Sequence, residues 1–109
     1  MQKNINVSIQ TPRDKDSMLS MHSDIHAGES PFEVVAWLPL TDVVSNSMSM
    51  FITKPKFNRD INKAITSSKK NIQEIYKKNK KKFKFIKIKF GEILIFSPIL
   101  LHGNTINET

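Results

Sequence analysis

The sequence predicts a mainly β domain: a sandwich or jelly-roll core interrupted by one lysine-rich helical insertion. Three observations carry this. Short apolar segments alternate with a two-residue period and are punctuated by Pro and Gly; one stretch, Asp60 to Lys82, changes to a helical period; and a histidine stands near each end of the strand-rich part.

Taken in order, residues 1–20 form a polar lead-in in which "TPRDKDS" signals a turn or loop. From Phe32 the chain alternates: Phe32, Val34, Ala36, Leu38 and Leu40 share one face, and Glu33, Val35, Trp37 and Pro39 the other, which predicts a strand ended by Pro39. "SNSMSMFITKP" predicts a second strand through Met48, Met50 and Ile52, stopped near Pro55. Ile61, Ala64, Ile65, Ile72, Ile75 and Tyr76 then follow helical spacing, with Asn58 or Asp60 as the cap and lysines on the opposite face. "KFKFIKIKF" predicts a third strand with a slip at Phe85-Ile86 that suits a bulge. Gly91 supplies a turn, "EILIFS" a short strand that Pro98 interrupts, and "ILLHGN" brings His102 to the start of a Gly-Asn turn. The expected organisation is one domain: 1–20 lead-in, 21–55 histidine motif and following strands, 56–82 helical insertion, and 83–109 the strands carrying the distal histidine.

At 109 residues the chain suits one small domain. It has no cysteine, which excludes disulfides, thiolate metal sites and cysteine nucleophiles. The start has no apolar signal-peptide region and the apolar runs are far too short to span a bilayer, so the expectation is a soluble, cytoplasmic protein. The net charge of +7 is local: ten of the fifteen lysines fall between Lys69 and Lys89, and the remainder carries seven basic against nine acidic side chains. Tyr76, Phe83 and Phe85 lie among those lysines, a pattern that suits a basic nucleic-acid-binding module and equally a half-buried strand with a charged outer edge.

"MHSDIH" places His22, Asp24 and His26 at alternate positions. On extended backbone, residues two apart point the same way, so His22 and Asp24 can converge on one ion. His102 is the histidine far from this cluster, and with it the chain offers two imidazoles and one carboxylate, the facial set that holds iron(II) and leaves adjacent positions open. Two other readings stand beside it. His22, Asp24 and His26 could hold zinc with a water, or all of these groups could be hydrogen-bonded loop residues.

"HSDIHAGESPFEVVAWLPLTD", followed at distance by "GEILIFSPILLHGNTINET", resembles the iron(II)- and 2-oxoglutarate-dependent dioxygenases of the phytanoyl-CoA dioxygenase-like group, and within it the bacterial sporadic carbohydrate cluster 2OG-Fe(II) oxygenases. The resemblance extends over about half of the chain. It implies a double-stranded β-helix, the cupin-like jelly roll, of which this chain holds part. It implies His22, Asp24 and His102 as the catalytic iron ligands, with His26 in a supporting role and Trp37 and Asn104 near 2-oxoglutarate. From the residues alone, Trp37 is a core or sheet-face aromatic and Asn104 a turn residue. The implied activity is hydroxylation of a small molecule, a sugar or glycan precursor, with dioxygen and 2-oxoglutarate as cosubstrates. Relatives carry a basic residue a short way past the distal histidine; the sequence reaches Thr109 without one, and neither Arg13 nor Arg59 matches that position. The expectation is therefore a truncated or fragmentary dioxygenase, its edge strands prone to pairing with another copy. A cupin-like metal-binding protein without oxygenase activity and the basic nucleic-acid module compete with it.

Overall fold

The structure, a computed structural model, describes residues 6–45, 49–67 and 71–107. After a short 3-10 turn at Asp24–Ala27 the chain forms β1 (Val35–Trp37), β2 (Met50–Thr53), α1 (Pro55–Ser67), α2 (Ile72–Lys78), β3 (Phe83–Phe85), β4 (Leu94–Phe96) and β5 (His102–Asn104). No described helix is long and apolar enough to cross a membrane.

The central sheet has the order β3-β2-β5, antiparallel throughout, with Phe51 opposite Phe85 and Gly103, and Ile52 opposite Lys84 and His102. β2 is buried along its whole length. Its two faces serve two cores, as period-two alternation requires. Phe51 packs toward the helices in a cluster with Met21, Ile61, Ile75, Phe83 and Leu101. Met50 and Ile52 point the other way into a cluster with Val43, Ile86, Ile88 and Phe96. A second sheet pairs β1 with β4, Val35 opposite Phe96 and Trp37 opposite Leu94, and its inner residues Val35, Trp37 and Leu94 close over that second cluster. The layers are thus helices, three-stranded sheet, two-stranded sheet.

Each strand has only three or four residues, whereas α1 alone has thirteen. Among the described residues the fold is therefore a mixed globule of two helices and two small sheets rather than a mainly β one, and its five strands fall short of the roughly eight of a jelly roll.

Several local expectations change. The first strand is confined to Val35–Trp37, and the apolar set Phe32, Val34, Leu38 and Leu40 faces outward. Both faces of this segment are apolar, and the one bearing Val35 and Trp37, with Leu94 and Phe96 beside them on β4, is turned inward onto the cluster of Val43, Met50, Ile52, Ile86 and Ile88. Met48, expected in the second strand, lies outside the described residues. The helical stretch is two helices. The first begins at Pro55, whose missing N–H costs nothing in a first turn. Asn58 and Asp60 are inside α1 and cap nothing; Asn71 caps α2, accepting from the Glu74 amide at 2.9 Å. The Phe85-Ile86 slip is no bulge. Phe83 and Phe85 pack with the helix-side cluster, Ile86 and Ile88 belong to the inter-sheet cluster, and the alternation runs on unbroken while the buried side changes. Finally, "HGN" is strand β5, not a turn.

Ile61 is 1 % exposed at the centre of the helix-side cluster. Ile61→Ala should lower unfolding free energy by about 2–5 kcal/mol in a denaturant titration. Val34→Ser, on the outward apolar face, should stay within about 0.5 kcal/mol.

Candidate metal centre

Two segments far apart in sequence build the site. Met21–Asp24 runs along the free edge of β5, and His22 and His102 exchange both backbone hydrogen bonds, each N–H donating to the other's carbonyl at 2.8 Å. In such a reciprocally bonded antiparallel pair the two side chains project from the same face. Ser23 is extended (φ −120°, ψ 133°), which sends the side chains of His22 and Asp24 to one side. The buried Ser23 hydroxyl lies 2.9 Å from the Pro98 carbonyl and 3.2 Å from that of Ile99, tying the motif to the loop before β5.

That loop is held from the helix side. Asn58 of α1 accepts from the Leu101 amide at 2.9 Å and donates to the Ile99 carbonyl at 3.1 Å. Thr53 of β2 binds the Leu101 carbonyl through its amide (2.9 Å) and its hydroxyl (3.0 Å). Gly103 lets the two segments approach: a β-carbon there would lie 2.8 Å from the Phe51 ring, 2.9 Å from the Leu19 carbonyl oxygen and 3.1 Å from the Met21 nitrogen.

The side chains converge. Asp24 Oδ1 lies 3.3 Å from His22 Nε2 and 3.5 Å from His102 Nε2, and the three ligating atoms fall within 4.8 Å of one another. Each imidazole is oriented from behind, His22 Nδ1 by the Ser20 carbonyl at 2.8 Å and His102 Nδ1 by the Leu100 carbonyl at 2.9 Å. A carbonyl only accepts, so both Nδ1 atoms carry hydrogen, and each ring in its neutral form turns an Nε2 lone pair inward. The Phe96 ring packs edge-on to His102, centroids 4.9 Å apart.

This leaves three acceptors facing one another. A proton on one Nε2 would satisfy a single contact with the carboxylate. At His102 burial opposes even that: desolvation, reinforced by neighbouring His22 and opposed by the Leu100 carbonyl and Asp24, holds the imidazole below its ordinary range. A cation satisfies all three groups at once, and the carbonyl-backed imidazoles are the outer-shell arrangement that metal-binding histidines require. His22, Asp24 and His102 therefore form a group that could hold a metal ion. The His102 side chain is 6 % exposed, but those of His22 and Asp24 are 32 % and 22 % exposed, so the centre has a buried wall and an open side.

The structure thus brings His22 and Asp24 together with His102 and not with His26. His26 is exposed in the 3-10 turn, where it borders a cavity of about 460 Å³ with Arg59 and Lys63. Trp37 is half-buried in the inter-sheet cluster that also contains Phe96, the residue beneath His102. Asn104 binds the lead-in: its amide donates to the Leu19 carbonyl at 3.0 Å and its Oδ1 accepts from the Leu19 amide. Arg13 donates its backbone N–H to the Asn107 carbonyl. Sequence reasoning missed the supports Ser23, Asn58 and Gly103. For Asn58 a signal was present: it lies three and seven residues before Ile61 and Ile65, a polar side chain on the apolar stripe of α1.

Comparison with protein-family models, with curated proteins and with solved structures gives no match.

Gly103→Ala should destabilise the fold by about 1–3 kcal/mol in chemical denaturation, because two of the three close contacts are backbone. A pH effect follows from His102 as well. The unfolded chain takes up a proton near pH 6.5, whereas the buried imidazole resists it to lower pH. The unfolded state therefore binds more protons in this window, and the metal-free protein should lose stability as pH falls below about 6.5. Urea titrations at several pH values should show that slope, and a flatter one for His102→Gln.

Proposed function

We propose that this chain carries the iron centre of a non-haem iron(II)- and 2-oxoglutarate-dependent dioxygenase acting on a small molecule, with a sugar or glycan precursor as the substrate class. The observation that carries the reading is the convergence of two imidazoles and one carboxylate with an exposed side. The resemblance of "HSDIHAGESPFEVVAWLPLTD" and "GEILIFSPILLHGNTINET" to that group supplies the reaction class. The five strands belong, on this reading, to part of a double-stranded β-helix.

Bound at such a centre, iron(II) supplies oxidative chemistry with dioxygen and 2-oxoglutarate. The protein's own tasks are narrower. His22 and His102 would present Nε2 lone pairs held in place by the Ser20 and Leu100 carbonyls, and Asp24 would supply the anionic ligand. Phe96 and the inter-sheet cluster keep water from the His102 side, and the partly exposed His22–Asp24 side would admit the cosubstrates. Trp37 and Asn104 are the proposed contacts to 2-oxoglutarate. Since the Asn104 oxygen already accepts from Leu19, its NH2 group is the part free to donate. A second reading, a metal-binding protein without oxygenase activity, rests on the same three ligands.

Anaerobic titration separates these readings. Iron(II) should bind one per chain, and adding 2-oxoglutarate should produce the weak visible charge-transfer band of a chelated keto acid. Asp24→Ala or His102→Ala should weaken iron binding by at least about tenfold. Binding without the band assigns the chain to the second reading, and iron affinity unchanged by either variant removes both.

A further inference from the structure

A second cavity lies on the opposite face of the central sheet from the metal centre. Met50 and Ile52 face the cluster beside His102, whereas Phe51, between them, faces this cavity. It encloses about 760 Å³, within the range of sites that take drug-sized molecules. It opens between the lead-in segment, α2 and the end of β5.

Its walls have two characters. The apolar part includes Met18, Tyr76 and Phe85 above the buried Phe51, with Tyr76 and Phe51 stacked at 4.6 Å. The charged part is of one sign. Lys15 comes from the lead-in and Lys77 and Lys80 from the end of α2 and the turn after it, and no carboxylate is among the described residues lining the cavity. Lys80 Nζ stands 5.8 Å from the centroid of the Tyr76 ring, so cation and aromatic surface occur at the same place. Burial holds the Tyr76 phenol above its ordinary range.

An uncharged apolar guest would leave three lysines without a counter-charge, and a bare inorganic anion would leave the aromatic wall wet. We propose that this cavity is a binding site for a small organic anion with an aromatic or apolar body, a phosphate monoester or carboxylate, its body against Tyr76 and Phe85 and its charge among Lys15, Lys77 and Lys80. The site shares none of the three metal ligands, although Asn104, proposed above as a contact to 2-oxoglutarate, also lines it.

The probe is 2-naphthyl phosphate, read by its own fluorescence, with 2-naphthol and inorganic phosphate as its two halves. The intact ester should bind saturably and at least about tenfold more tightly than either half. The double variant Lys77→Glu/Lys80→Glu, shown folded by circular dichroism, should weaken it by about tenfold or more, as should raising the salt. Val34→Ser/Ile95→Ser, on the outward apolar face of β1 and β4, should leave it unchanged. Equal affinity for 2-naphthol, indifference to the lysine reversal, or loss of binding in the Val34/Ile95 variant each overturns the proposal. So does an absence of saturation up to about 5 mM, including the case in which a single-stranded oligonucleotide binds and the ester does not.

Discussion

The pair of backbone hydrogen bonds between His22 and His102 is the contact on which the site depends. It joins the two ends of the described chain, and closing so long a loop costs on the order of 4 kcal/mol in chain entropy before any contact repays it. Two hydrogen bonds at a typical net of about 1 kcal/mol each do not cover that. The difference is met where the same segments enter the core: Met21 and Leu101 are almost completely buried with Phe51 and Ile61. Hydrophobic burial on the helix side of the sheet therefore holds a polar triad together on the other. Gly103 is where the two demands meet, since any side chain there would separate strand from lead-in.

The central strand explains how so small a protein places a candidate metal centre on one face and a lysine-rimmed cavity on the other. β2 gives Met50 and Ile52 to the face shared with His102, and Phe51 to the face with the lysine-rimmed cavity. Lysines dominate the sequence from residue 69 to 89, yet buried side chains between them, Ile75, Phe83, Ile86 and Ile88, anchor residues 71–89 in the two clusters. The outward face of the smaller sheet has a different character: Val34, Leu38, Ile93 and Ile95 remain half or more exposed.

The legible and illegible parts of the sequence divide along physical lines. Strand and helix periods were readable between Phe32 and Phe96 because alternation and helical spacing leave marks in side-chain polarity. The buried face of Val35–Trp37 was not, since both faces are apolar and only packing against the central sheet decides between them. His22 and Asp24 could be paired from their spacing on extended chain, but the choice between His26 and His102 as third ligand depends on a tertiary bridge that no local pattern encodes. The Ser20 and Leu100 carbonyls that orient the imidazoles were illegible for a simpler reason: every residue has a carbonyl. Asn58 was misread as a cap because its residue type favours that role, although its place on the apolar stripe of α1 pointed inward.

The same Asn58 gives the helix a stake in the opposite side of the molecule. Its side chain grips the Ile99 carbonyl and the Leu101 amide, the main-chain groups just ahead of His102. While these bonds hold, the first turns of α1 and the loop before His102 are tied to each other, and we expect them to open together. Amide protons along α1 and at Leu101 should exchange with solvent through a common opening, so that a cation gripping His102 slows exchange in a helix it never touches.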